Sequence, residues 1–109
     1  MVSDSLVIMK RRSRDAAAWK AGGRWLQQLR NQAGLSQLDL AVRLGIKHYS
    51  YVSQIETGLS RPPMSKLQAW AKSLDVDPTE FAEQFISFYE PELYLMLKNG
   101  ERPRKRAWP

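Results

Sequence analysis

The chain reads as an all-α fold: a domain of five helices with a C-terminal extension that is either helical or a short strand. Three observations predict it. Apolar residues recur at three- and four-residue steps in several separate stretches, the mark of helices with one buried face. Capping residues punctuate those stretches: Ser36 stands three positions before Asp39, Asp77 three before Glu80, and Gly34, Gly45 and Gly58 follow the periodic segments. A length of 109 residues suits a single domain with one modest core.

Residues 1–15 read as a flexible basic arm. Lys10, Arg11, Arg12 and Arg14 are too charged to pack, and Leu6 to Met9 form a short strand on a partner or nothing. The domain proper spans 16–81. Its first helix begins near Ala16, where alanines favour helix, although Gly22-Gly23 should weaken or bend it. Leu26, Leu29 and Ala33 give that helix its buried face, and Gly34 ends it.

A second helix starts at Ser36 with the capping pair Ser36/Asp39, buries Leu40, Ala41 and Leu44, and stops at Gly45. A third, at about 48–56, buries Val52 and Ile55. At about 100° per residue, Ser50, Ser53, Gln54 and Thr57 then face outward. After the rigid Arg61-Pro62-Pro63 connector, Leu67, Trp70, Ala71 and Leu74 mark a fourth helix. Asp77-Pro78-Thr79-Glu80 opens the fifth with an N-cap, an N1 proline and an early carboxylate. Phe81, Phe85, Phe88 and Tyr89 line it, and Pro91 breaks it. The run Leu93 to Leu97 fits helix or strand. Residues 82–100 thus form an extension packed on the domain, and 101–109 a flexible basic tail.

Charge is unevenly spread. The net charge is +6, with ten Lys/Arg against four Asp/Glu in residues 1–61, three against six in 62–100, and four against one in 101–109. Such asymmetry points to a polyanionic partner, or to no more than a solvated surface. There is no cysteine and one histidine, His48. Disulfides, thiolate metal sites and cysteine nucleophiles are thereby excluded, and no metal or cofactor is expected. No nucleophile–base pair or carboxylate dyad suggests an enzyme. No apolar run approaches the roughly 20 residues of a membrane span, and the N-terminus lacks the order of a signal peptide. A cytoplasmic protein is expected.

The second and third helices, joined by the tight turn at Gly45-Ile46, have the spacing of a helix-turn-helix. The residues go further. Leu29-Arg30, Ala33-Gly34-Leu35-Ser36-Gln37, Leu40-Ala41, Leu44-Gly45-Ile46, Val52 through Gly58, Arg61-Pro62, and Leu67 through Leu74-Asp75-Val76 stand in order. Over roughly residues 24–81 the sequence resembles the phage-repressor regulators of the Cro/CI or XRE type. The resemblance implies a lambda-repressor-like domain that binds double-stranded DNA, as a homodimer on a pseudo-palindromic operator.

Carried over residue by residue, the resemblance makes Gln37 a phosphate contact at the start of the second helix, where helix amides favour an anion. It makes Gln54 a base reader, since a glutamine amide pairs bidentately with adenine. Arg30 and Glu56 match a structural ion pair. Between Gly45 and Glu56 the chain has one residue more than the family's usual spacing, so either the turn is longer or the third helix gains a residue. Counting back from Glu56 puts Tyr49, Ser50, Ser53 and Gln54 at the base edges. Tyr49 or Tyr51 instead touches phosphate or packs beneath the helix. Arg43, Lys47, Tyr51, Thr57 and Arg61 complete the expected phosphate contacts. The arm and the tail lie along DNA or merely solvate the protein.

Trp70 falls on the apolar stripe and belongs to the core, whereas Trp19 and Trp25 are ambiguous. Phe85, Phe88, Tyr89, Leu93, Tyr94 and Leu97 exceed what a five-helix core requires. That surplus is expected to form a dimer interface. Its alternatives are an enlarged monomer core or a surface for a protein partner, as in an antitoxin or adaptor.

Overall fold

The structure is a computed structural model that describes residues 2–100, with side chains from Asp15 onward. Among the described residues there are six α-helices and no strand. They are α1 (Val2–Gln32), α2 (Gln37–Leu44), α3 (Ser50–Glu56), α4 (Leu67–Ser73), α5 (Pro78–Tyr89) and α6 (Pro91–Asn99), with a 3₁₀ turn at Met64–Lys66 ahead of α4.

α1 departs from expectation at two points. Its backbone is helical from Val2, so residues 2–15, read as an arm, continue the helix. It also passes straight through Gly22 and Gly23, which replace packing bulk with closeness. A Cβ on Gly23 would strike the backbone carbonyls of Ile55 and Glu56, and one on Gly22 would lie 2.5 Å from the Tyr89 ring. The two glycines let α1 rest directly on the end of α3 and on α5. That contact offsets the roughly 1 kcal/mol by which glycine disfavours a helix interior.

α2 begins as its sequence dictates. Ser36 Oγ accepts from the Asp39 N–H at 3.0 Å, and the Asp39 carboxylate accepts from the Ser36 N–H at 2.9 Å. Gly45 ends it with φ of 70°, a left-handed conformation that glycine adopts without strain. α3 has only seven residues, too few to be stable alone. Val52 and Ile55, both fully buried, hold it to the core at about 1.5–3 kcal/mol each.

The core joins Leu26 of α1, Leu40 and Ala41 of α2, Val52 and Ile55 of α3, Trp70, Ala71 and Leu74 around α4, and Phe81, Phe85, Ile86 and Tyr89 of α5. α5 opens on Asp77, whose carboxylate accepts from the Glu80 N–H at 2.9 Å. It is continuous through Tyr89, so a boundary after residue 81 falls inside a helix. Its aromatic face is spent within the chain. Trp25 stacks on Phe81 and Phe88 with ring centroids 5.1 and 5.3 Å apart, and Phe85 meets Tyr89 at 4.7 Å. Phe85 and Tyr89 are buried, and Phe88 partly so. These three are therefore core residues rather than an exposed interface. The sequence count went astray because Trp19 and Trp25 also pack on the core, which makes it larger than five helices need.

Pro91 breaks α5 as expected and also serves as the first residue of α6. The run Leu93 to Leu97 is thus helical, and none of its residues is fully buried. Leu95, Met96 and Leu97 are more than half exposed, Leu93 39% exposed, and Tyr94 packs partly on the core. α6 lies along α5, pinned by an ion pair between Lys98 and Glu83. Between them an apolar groove of about 510 Å³ is lined by Met64, Leu67, Ile86, Leu93 and Leu97 among others. The tail 101–109 lies outside the described residues. No helix among those described is long and apolar enough to cross a membrane.

Candidate functional site

The turn between α2 and α3 sets the site. Gly45 and Ile46 donate back to Val42 and Ala41 at 3.1 and 2.9 Å, closing α2. The chain then runs through Lys47 and His48 into a short lead-in, where Tyr51 and Val52 N–H donate to the His48 and Tyr49 carbonyls at 3.0 Å each. α3 starts at Ser50, with Tyr49 as its N-cap. Lys47 and His48 thus stand in the turn ahead of α3.

This register separates the two tyrosines. Tyr49 is exposed, whereas Tyr51 is half-buried against the core with its hydroxyl donating to the Arg61 carbonyl at 3.4 Å. Ser50 and Gln54 are exposed and Ser53 half-exposed, while Val52 and Ile55 between them are buried. The outward surface of α3 is consequently neutral and hydrogen-bonding, and its inward surface apolar.

Behind the helices lies a buried ion pair. Arg30 Nε donates to Glu56 Oε2 at 2.6 Å, Nη2 to Oε1 at 3.0 Å, and Nη1 to the Leu35 carbonyl at 2.8 Å. The side chains are 10% and 3% exposed. Gln37 Nε2 donates to the same Glu56 Oε1 at 3.0 Å. The first residue of α2 and the last of α3 are thus bonded directly, a link that no local signal announces across 19 positions.

Several of the residues expected to meet phosphate are engaged inside the chain. Arg61 departs furthest. Its Nη1 donates to the Tyr89 carbonyl at 2.9 Å and to Glu90 Oε2 at 2.7 Å, and its guanidinium lies over the Tyr89 and Phe85 rings, 5.4 and 5.8 Å from their centroids. The Thr57 hydroxyl is turned back onto the Ser53 and Gln54 carbonyls at 2.9 and 3.2 Å. A hydroxyl has one proton to donate, so Thr57 has none left for a phosphate oxygen. Arg43 Nη1 donates to the Ser73 carbonyl at 2.9 Å. Tyr51 is occupied with Arg61, as above. Lys47 is exposed in the turn, and Gln37 keeps one side-chain N–H after binding Glu56. The side chains of Lys10 to Arg14 lie outside the described residues.

No local pattern points to Glu90, Gln84 or Ser73 as partners. Each binds a residue 28 or more positions away, and helix-face periodicity carries no information at that range. The Asp39 carboxyl is held below its ordinary range by the Ser36 N–H and hydroxyl. Burial pushes the Tyr89 phenol up, with Arg61 opposing. Hydrogen bonding and attraction from Glu83 raise Lys98.

Residues 26–81 match a family model described as helix-turn-helix. That match covers α2, α3, α4, the end of α1 and the start of α5. Among curated proteins no relative matches the chain.

Proposed function

The chain belongs to the helix-turn-helix family of XRE and Cro/CI-like regulators, and from that premise we propose that it is a sequence-specific transcription regulator acting on double-stranded DNA in the cytoplasm. DNA binding follows from the family. What supports a sequence-reading role is the exposed polar surface of α3. A buried Val52/Ile55 pair holds a seven-residue helix by its back and leaves Tyr49, Ser50, Ser53 and Gln54 at the front. Such a helix fits the major groove, where amide and hydroxyl groups distinguish base edges. Gln37 and Lys47 are the phosphate contacts we favour. Arg43, exposed and with only one of its N–H groups given to Ser73, joins them through the donors left over, and Arg61 is assigned to the fold.

We further propose a homodimer formed through α6, with Leu93, Tyr94 and Leu97 at the interface beside Leu95 and Met96. The run Leu93 to Leu97 is apolar all round the helix, a pattern that is ordinarily covered, and all of it but Tyr94 is exposed. Two half-sites about one helical turn apart, roughly 34 Å, would then meet two copies of α3. The same exposed face favours a second reading, in which α6 grips a different protein.

Selection of duplexes from a random pool, followed by salt titration, tests the first reading. An inverted repeat bound far more tightly than random DNA, with a steep salt slope, is the expected result. Absence of any preferred sequence would sink it. Sedimentation of the purified chain decides the second point: a dimer that dissociates on Leu97→Asp supports self-association, and a monomer at all concentrations directs α6 to another partner.

A further inference from the structure

We propose that Glu56 is a positioning residue for DNA binding, whose carboxylate fixes the Gln37 amide and thereby locks the phosphate contact on α2 in register with the reading surface of α3. The inference rests on the reading of the site just given. Its basis is the convergence of two donors on one buried acceptor. Glu56 Oε1 receives Arg30 Nη2 and Gln37 Nε2, both at 3.0 Å, while Oε2 receives Arg30 Nε at 2.6 Å.

An ionised carboxylate only accepts hydrogen bonds. It therefore dictates which end of the Gln37 amide faces it: the nitrogen turns inward, because the carbonyl oxygen would meet another oxygen. The carboxylate itself cannot swing, since Arg30 holds both of its oxygens and is anchored in turn to the Leu35 carbonyl. Gln37 is left with one N–H and its carbonyl oxygen. A phosphate oxygen also only accepts, so the N–H is the group it takes. An unrestrained glutamine would have to give up several rotamers and both amide orientations on binding. Here that ordering is complete before DNA arrives, and the amide is referenced to the end of the same helix that carries Ser50, Ser53 and Gln54.

The test compares the wild-type chain with Gln37→Ala, with the paired variant Arg30→Met/Glu56→Met, and with the triple variant. The paired change removes both charges together, so neither is left buried alone. Binding to the selected duplex is titrated against salt, and folding is followed by thermal melts. Gln37→Ala and the paired variant should each lower affinity about tenfold and leave the salt slope unchanged, because a neutral amide on a phosphate releases no counterion. The triple variant should lose no more than either. A paired variant that is folded and binds with wild-type affinity overturns the inference, as do losses that multiply in the triple variant. If the wild-type chain selects no duplex, the DNA reading fails first and takes this one with it.

Should the paired variant fail to fold, NMR of the wild-type chain decides. The two Gln37 side-chain amide protons, identified by their loss in Gln37→Ala, should differ, one shielded from solvent exchange and the other not. Two equally fast exchanging protons overturn the proposal.

Discussion

Arg61 and Glu90 are joined at 2.7 Å, with the Arg61 guanidinium also bonded to the Tyr89 carbonyl and lying over the Tyr89 ring. The loop that leaves α3 is thereby tied to the elbow between α5 and α6. Arg61→Ala should cost about 1–2 kcal/mol of stability, a figure for hydrogen bonds to a charged group reduced because Glu90 is 40% exposed in its side chain. Urea unfolding measures it. An unchanged midpoint together with a large loss of DNA affinity would return Arg61 to the phosphate contacts.

Gly23→Ala should destabilise the fold, by about 1–3 kcal/mol. Helix propensity alone predicts a gain of about 1 kcal/mol, so the two accounts differ in sign. The added methyl would meet the Ile55 and Glu56 carbonyls, which are backbone and cannot step aside. A stabilised Gly23→Ala variant in chemical denaturation would refute the close seating of α1 on α3.

Tyr89→Phe should be neutral or stabilising by about 1 kcal/mol. The phenol is buried and its hydroxyl has no hydrogen-bond partner, a cost of about 1–3 kcal/mol that phenylalanine avoids. The ring keeps its contacts with Phe85, Arg61 and Gly22. A clear drop in melting temperature would mean that the hydroxyl has a partner in solution.

Gln54→Ala should weaken binding to the selected duplex by about 1–3 kcal/mol and leave binding to random DNA nearly unchanged. Lys47→Ala should weaken both alike and reduce the salt slope by about 1. Competition titrations on the two duplexes report this, and equal losses for Gln54→Ala on both would remove it from base reading.

Two surface contacts should respond to pH in opposite directions. Asp39 has its pKa lowered by Ser36, so its stabilisation of the α2 start is present above the unfolded carboxylate pKa and lost as pH falls through the folded value. Lys98 is raised by Glu83, so its contribution is complete below the unfolded lysine pKa and lost as pH rises through the folded value. Amide exchange should show α2 opening first in acid and α6 in alkali. Asp39→Asn should erase the former trend, and Lys98→Met the latter.

What the sequence disclosed, and what it withheld, follows physical range. Caps act within three residues, and the starts of α2 and α5 lie where Ser36/Asp39 and Asp77/Pro78/Glu80 put them. Apolar spacing acts within one helix, and Leu26, Leu40, Val52, Ile55 and Trp70 are buried accordingly. The start of α1 at Val2 differs from the arm expected over residues 1–15, where the run Lys10 to Arg14 reads as too charged to pack. The fate of Gly22-Gly23 and of the α5 aromatics depended on which helix would cross them. That is a tertiary fact, and only Trp25 against Phe81 and Phe88 reveals it. Arginines sort least legibly of all. The resemblance singles out Arg30 as half of an ion pair, but Arg43 and Arg61 look alike in sequence and each is bound to a different in-chain acceptor.

The stacking of Trp25 has a spectroscopic consequence. Its indole lies between Phe81 and Phe88 and donates its N–H to Gln84 at 2.6 Å, whereas Trp70 is sealed in the core as part of α4. The two chromophores therefore sense different seams of the molecule. With the two remaining tryptophans, Trp19 and Trp108, replaced by phenylalanine, and Trp25 or Trp70 replaced in turn, emission from each can be followed alone. Detachment of α1 from α5 would shift the Trp25 signal while Trp70 stayed blue, and global unfolding would move both together. The chain thus carries a built-in optical gauge that separates partial opening from complete denaturation.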